Sequence, residues 1–118
     1  MISVDPASPS PPVEQIRSQL AALIRTGSLE ADARMPTVRQ LAGDLRVAPG
    51  TVAKAYRELE GAGLIRTGRA AGTRVNPGQL TSDAVLAAAA ALVRVARSAG
   101  LELDEALGVV ASRWEARD

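Results

Sequence analysis

The sequence contains no cysteine, no histidine and no phenylalanine, and its aromatic residues are one tyrosine and one tryptophan. The absence of cysteine excludes disulfides and thiolate chemistry. The absence of histidine removes the commonest metal ligand and the commonest general base. Carboxylates, hydroxyls and a single lysine remain as reactive groups, and no pair of them clusters in the sequence. We therefore expect neither an enzyme nor a metal-binding protein, and no set of residues indicates a cofactor.

The chain also lacks a long apolar run and a targeting segment. Its longest apolar stretch, residues 84–93, is about half as long as a membrane-spanning helix. The first residues carry Asp5 and two prolines instead of the charged start and apolar run of a signal peptide. The length of 118 residues corresponds to about one domain. These features predict a soluble cytoplasmic protein that does not bind a membrane.

The net charge of +1 conceals an uneven distribution along the chain. Residues 34–75 contain eight basic and three acidic side chains, whereas residues 80–118 contain four basic and six acidic ones. A basic middle segment is typical of a protein that faces an anion such as nucleic acid. An ordinary solvated surface explains the same excess of positive charge, so the charge alone does not decide between the two.

The pattern of residues predicts a leader followed by three helices. Residues 1–11 are rich in proline and serine and are interpreted as an extended leader. An apolar stripe with helical spacing runs from Pro12, a favourable helix start, to Gly27. Thr37 and Gln40 match a capping box, in which a hydroxyl and an amide satisfy each other's backbone donors at the start of a short helix.

The third predicted helix lies in residues 48–65, with Val52, Ala55, Leu59 and Ala62 as its apolar stripe. Two strand-like runs follow, residues 64–67 and 73–76, joined by the sequence GRAAG. These runs predict a β-hairpin with a glycine-bounded tip that carries one arginine.

This order of elements is that of a winged helix-turn-helix, in which the third helix presents its exposed face to the major groove of DNA. Pro49 presets the first turn of that helix, and Gly50 adds no bulk that would keep a duplex away. The first backbone N–H groups of any helix are unpaired and are able to bind phosphate. Thr51 and Lys54 lie one turn apart on the open face, which we interpret as a nucleic-acid face.

The segment from Pro11 to Ile65 resembles the DNA-binding domain of GntR-type transcriptional regulators. The resemblance is carried by EQI at 14–16, MPTVRQLA at 35–42, AYRELE at 55–60 and GT at 72–73. In lacking a large second domain, the chain resembles the short YtrA-type subfamily. The DNA-binding residues that the resemblance implies are Thr37 and Arg39, the recognition-helix residues Ala48, Pro49, Gly50, Thr51 and Lys54, and the wing residues Arg69, Gly72 and Thr73.

The chain departs from the family pattern at three places. Many members have Ser-Arg where this chain has Ala48 and Pro49, and a basic residue where it has Ala53. The wing tip usually carries more than one basic residue, whereas GRAAG contains only Arg69. More of the DNA readout would therefore depend on Arg39, Thr51 and Lys54.

Several of these residues have alternative roles that the sequence leaves open. Arg39 would pair with Asp44 on an ordinary surface, and Lys54 would pair with Glu58. Thr51 would cap its own helix. A DNA contact from Arg34 or Arg57 is equally open, and Tyr56 is predicted to belong to the core or its rim.

Residues 79–118 predict a helical hairpin after the winged helix of residues 12–78. Thr81, Ser82 and Asp83 offer a helix cap, and a second helix follows Gly100. The two apolar stripes of this tail consist of Val85, Ala89, Leu92, Ala96, Leu103, Leu107, Val110 and Trp114. A pair of helices cannot cover both apolar stripes by itself. A ligand pocket is possible, but no polar groups converge on the stripes to orient a ligand. A second copy of the chain is therefore the simpler partner.

The sequence thus predicts a mainly α fold with a small β-hairpin, a winged helix-turn-helix followed by a two-helix dimerisation tail. The predicted function is a homodimeric regulator, a repressor, that binds double-stranded DNA at a palindromic operator. The alternatives are a winged-helix protein-interaction module and a nucleoid-type DNA binder without a specific operator. A small-molecule effector is neither indicated nor excluded.

Overall fold

The structure, a computed structural model, describes residues 2–68, 70 and 72–116. Its elements are α1 (Pro12–Arg25), α2 (Val38–Leu45), α3 (Pro49–Gly61), β1 (Ile65–Gly68), β2 (Gly72–Val75), α4 (Asp83–Ser98) and α5 (Leu103–Glu115). The chain divides into two compact units, Met1–Leu80 and Thr81–Asp118. The predicted mainly α fold with one small hairpin is confirmed, and each strand lies within one residue of its predicted position.

Local sequence signals account for the helix starts. The Gln40 backbone N–H donates to Thr37 Oγ1 at 3.1 Å, and the Thr37 N–H donates to Gln40 Oε1 at 3.0 Å. This is the predicted capping box, and it fixes the first residue of α2. The Ser82 hydroxyl accepts from the Val85 N–H at 3.2 Å and caps α4 in the same way.

The core of the first unit forms where α1 and α3 pack against each other and against α2 and the sheet. Its fully buried members include Ile16, Leu20 and Leu59. The prediction that Ala62 belongs to the buried stripe of α3 was wrong. The helix ends at Gly61, and Gly63 turns the chain away with φ +80°, so Ala62 lies exposed beyond the last turn. Tyr56 is buried on that face instead.

The sheet contains a third segment that the sequence pattern did not predict. β1 and β2 pair antiparallel, with Ile65 opposite Val75. The segment 32–35 then lies along the other edge of β2, since the Met35 N–H donates to the Thr73 carbonyl at 2.8 Å and the Val75 N–H donates to the Ala33 carbonyl at 3.0 Å. This segment ties the base of the hairpin to the start of α2.

The N-terminal segment lies along α1, where two glutamines one helical turn apart hold it. The Ser3 N–H donates to Gln19 Oε1 at 3.1 Å, and Gln19 Nε2 donates back to the Ser3 carbonyl at 2.7 Å. Gln15 makes the same pair of hydrogen bonds with Asp5, at 2.8 and 3.0 Å. Each side-chain amide thus pairs with the backbone N–H and carbonyl of one residue, as a neighbouring strand would. Ile2, next to this segment, packs against the core.

The second unit has almost no core of its own. Among residues 81–116, only Ala96 is buried, with 6% of its surface exposed. The exposed large apolar side chains of this unit are Val85, Leu92, Val93, Val95, Leu103, Leu107, Val109, Val110 and Trp114. Within the described residues, neither tail helix nor any other helix is both long and apolar enough to cross a membrane.

Candidate nucleic-acid interface

A tyrosine of α3 forms a hydrogen bond with the segment that leads into α2. The Tyr56 hydroxyl donates to the Pro36 carbonyl at 2.7 Å, and Pro36 directly precedes the helix cap Thr37. Tyr56 is 7% exposed and belongs to the core, as predicted. Burial raises the pKa of Tyr56 to about 12, because a phenolate would be poorly solvated there.

The raised pKa of Tyr56 makes alkaline stability depend on this residue. Both states keep the phenol protonated below pH 10. Above pH 10 the unfolded chain loses its proton first, so we expect the free energy of unfolding to fall between pH 10 and about 12. Since the chain has one tyrosine, absorbance at 295 nm follows this group directly. Tyr56→Phe should lose about 0.5–1.5 kcal/mol of stability through the missing hydrogen bond and should remove most of that alkaline decline. A phenol that titrates at its ordinary value in the folded protein would contradict this assignment.

Arg39 projects from the first turn of α2 into solvent. The ion pairs of the described residues are Arg17 with Glu14 and Arg66 with Asp32, so Arg39 is not paired with Asp44. The alternative of an ordinary surface pair is therefore not what the structure shows. Arg39 is therefore exposed and forms no ion pair within the described residues.

The start of α3 is small and uncapped. Ala48 is the N-cap residue, and no side chain caps the helix. Ala48, Pro49 and Gly50 are exposed, and a Cβ added at Gly50 would meet nothing within 4 Å. The backbone of Gly50 does not have the positive φ that favours glycine, so neither conformation nor packing within the unit requires glycine at this position.

The other polar residues of α3 also face outward. The Thr51 N–H donates to the Ala48 carbonyl at 3.0 Å, and its side chain caps nothing, so the capping alternative for Thr51 is not supported. Lys54 and Arg57 are exposed. Within the part of the chain that the structure describes, Lys54 forms no ion pair with Glu58.

The wing leaves the sheet at a pair of glycines, Gly68 opposite Gly72. Gly72 has φ +71°, a conformation that glycine adopts at little cost. Thr73 is half-buried, and its hydroxyl lies 3.5 Å from that of Thr67 across the hairpin. The predicted contact residue Arg69 lies outside the described residues.

Within the described residues, the surface around α2 and α3 offers no metal site. Among the described residues, no group of three or more aspartate and glutamate side chains lies close enough to hold a metal ion. The side chains that converge at this surface are cationic or hydroxylic, and they suit an anionic partner instead.

Comparisons with known proteins bear on the family and the fold of the chain. The sequence model of the bacterial regulatory proteins of the gntR family matches residues 12–75. The HTH-type transcriptional regulator Rv1152 of Mycobacterium tuberculosis is 42% identical over 106 residues, which cover 90% of this chain and 88% of that protein. The HTH-type transcriptional repressor YtrA of Bacillus subtilis is 40% identical over 82 residues, which cover 70% of this chain and 63% of that protein.

A solved complex is similar to the first unit. The structure of the DNA-binding domain of AraR in complex with the operator ORX1 matches with a TM-score of 0.57 and 25% identity, over 64% of this chain and 95% of that one. The resemblance to GntR-type and YtrA-type regulators and the winged-helix fold are therefore confirmed. The individual contact residues stay predictions.

Proposed function

The chain belongs to the gntR family of bacterial regulatory proteins, and on that basis we propose that it represses transcription by binding a palindromic operator as a homodimer. It is a transcriptional regulator with a winged helix-turn-helix DNA-binding domain. The proposal adds the symmetry of the operator, the dimer, the sign of regulation and the cytoplasm as its place of action. Repression follows physically when a dimer on a promoter excludes the polymerase, and the similar YtrA is named a repressor.

The observation that carries the DNA-binding proposal is the start of α3. Gly50 is the second residue of α3, and nothing in its backbone conformation or in the packing of its own unit gives a reason for glycine there. A duplex lying against the first turn supplies that reason, because a Cβ there would hold the backbone away from it. Pro49 has no N–H and the Thr51 N–H already donates to the Ala48 carbonyl, so the Gly50 N–H is the group at this helix start that binds a phosphate.

The exposed side chains around this point divide into two roles. Arg39 and Lys54 reach base edges in the major groove, and so does the half-buried Thr51. Thr37, Ala48 and Pro49 set the approach of the backbone. Arg69, Gly72 and Thr73 of the wing enter the adjacent minor groove.

The dimer proposal rests on the second unit. Leu103 is 74% exposed and Trp114 is 84% exposed, in a tail that has almost no core. Fully burying one large apolar side chain is worth about 1.5–3 kcal/mol, and a micromolar dissociation constant corresponds to about 8 kcal/mol. A second copy of the chain supplies a matching apolar surface. Ala96 is already buried in one chain, so we assign it to packing within the tail and not to the interface.

Arg39→Ala tests the assignment on the recognition face. We expect it to lose about 1–3 kcal/mol of operator binding and to relax the preference at one base pair of each half-site. Arg25→Ala removes an equal charge from the last turn of α1 and is expected to leave the base preference unchanged. Fluorescence anisotropy with operators substituted at single base pairs measures both effects. Equal binding by Arg39→Ala and the wild type would remove Arg39 from the interface.

The same measurement separates the proposal from a nucleoid-type binder. A specific regulator binds one palindrome about 10³- to 10⁷-fold more tightly than bulk DNA. Selection of duplexes from random DNA by the full chain yields that palindrome directly. Enrichment of no motif would contradict operator binding.

A further inference from the structure

Three arginines stand side by side on the outer face of the sheet. Arg66 lies opposite Arg74 in the hairpin register, and Arg74 lies opposite Arg34 in the third segment. The backbone hydrogen bonds here are made by the neighbours of Arg34 and Arg74, and these two residues do not bond each other. In such a non-hydrogen-bonded pair the two Cα atoms are closer than in a hydrogen-bonded pair. Like charges directly opposite one another destabilise a sheet, so each of these arginines needs a partner that offsets the repulsion.

Two of the three arginines are held by the sheet itself. Arg66 Nη2 lies 2.6 Å from Asp32 Oδ1, and its Nη1 donates to the Val75 carbonyl and to Asn76 Oδ1 at 3.1 Å each. Arg74 Nη1 donates to the Asp32 carbonyl at 2.8 Å. Asp32 thus ties both guanidinium groups to the base of the hairpin.

The side chain of Arg34 is engaged differently. Arg34 is exposed, and in the described part of the chain no acidic side chain pairs with it. Its guanidinium lies over Gly72, where an added Cβ would be 3.1 Å from Nη2 and 3.2 Å from Nε. Gly72 is on the same face as Arg74 and two residues nearer the tip, so the side chain crosses the sheet diagonally towards the wing.

Arg34 is also close to the start of α2. Arg34 lines a depression together with Met35, Pro36, Thr37 and Gln40. The residue therefore lies next to the start of α2 while its guanidinium lies over the root of the wing, and both elements are assigned above to the DNA. The wing tip GRAAG has a single basic residue, and Arg34 brings a second positive charge to the wing from outside it.

We propose that Arg34 is a phosphate-binding residue of the wing and holds the DNA backbone at the edge of the minor groove. The inference rests on the proposed function and adds a contact to it. A planar guanidinium binds phosphate oxygens with two parallel hydrogen bonds. At the root of the wing it meets the backbone and not the base edges, so it contributes affinity and position but no sequence preference. The positive φ of Gly72 favours glycine, and a Cβ there would push this side chain slightly aside.

The test compares Arg34→Gln, Arg34→Lys and Arg25→Gln in the full-length protein. The probes are a duplex that the wild-type chain selects from random DNA and a mixed-sequence duplex of equal length. We expect Arg34→Gln to weaken binding to both by the same factor, about tenfold, and to lower the slope of log K against log salt by about 0.9 for each lost contact, hence about 1.8 for a dimer. Arg34→Lys should keep most of the slope, and Arg25→Gln should keep all of it.

Thermal melting separates this role from a structural one. Since Arg34→Gln removes a charge opposite Arg74, we expect its melting temperature to equal or exceed that of the wild type. A lowered melting temperature that lysine does not restore would overturn the proposal, as would unchanged affinity and slope. Loss of preference at one base pair would assign Arg34 to base reading instead, and would also overturn it. If the wild-type chain selects no duplex from random DNA, the proposed function itself is contradicted. If it selects a duplex and Arg34→Gln binds that duplex equally well, only the role of Arg34 is contradicted.

Discussion

Removing residues 81–118 is expected to weaken binding to a two-half-site operator by about 10²- to 10⁴-fold. The first unit keeps its whole core, because that core consists of residues between Ile16 and Val75. A monomeric winged helix still binds one half-site, but the second half-site is no longer held at high effective concentration. The loss therefore comes from dimerisation and not from the DNA-contacting residues.

The tail itself provides the control for this truncation. Leu107→Asp places a charge in the exposed apolar surface of α5, whereas Ser98→Asp places one at the polar end of α4. Sedimentation velocity at micromolar concentrations should give a dimer for the wild type and Ser98→Asp, and a monomer for Leu107→Asp and the truncated chain. Trp114 is the only tryptophan, so its emission should shift to the blue when the dimer forms. A monomeric wild type with the emission of a solvated indole would contradict the dimer.

The parts of the fold that depend on neighbouring residues were predictable from the sequence. The capping box of Thr37 and Gln40 and the proline at the start of α3 act within one turn, so they fix the helix starts without tertiary contacts. The stripe of α3 was predictable up to Leu59. Beyond it, the apolar spacing continued to Ala62, but Gly61 and Gly63 ended the helix, because termination overrides periodicity.

The features that depend on distant residues were not predictable. The segment 33–35 has too few residues for a strand pattern, and it pairs because β2 offers it a free edge. Its pairing with β2 is what brings Arg34 over Gly72, a contact between residues far apart in the chain. The sequence left Arg34 undecided for this reason. The one available signal in the sequence was the small number of basic residues in the wing. It indicates that positive charge is missing there but not which residue supplies it.

The candidate site divides in the same way. The exposure of Arg39, Gly50 and Lys54 follows from helical periodicity, since each lies off the buried stripe of its own helix. Within the described residues, Arg39 and Lys54 form no ion pair. Helical periodicity does not predict this, because spacing permits an ion pair without requiring one. The burial of Ala96 does not follow from its spacing either, since it lies on the same stripe as the exposed Leu92.

Leu59→Ala is expected to lower the free energy of unfolding by about 2–5 kcal/mol. Leu59 is completely buried where α3 packs on α1, and alanine leaves a cavity that the two helices cannot close without moving. Domains of this size are stable by about 5–15 kcal/mol, so this one side chain accounts for a large share of the total.

Arg57→Ala is the matched control, because it changes an exposed side chain of the same helix and should alter stability by less than about 0.5 kcal/mol. Urea unfolding followed by circular dichroism, at one protein concentration for all variants, should show the midpoint of Leu59→Ala lowered by more than about 1 M at ordinary slopes. In buffer without urea, DNA affinity should change little, because Leu59 lies on the face of α3 that does not carry Lys54. Equal midpoints for Leu59→Ala and the wild type would mean that the packing of α3 on α1 does not hold the recognition helix in place.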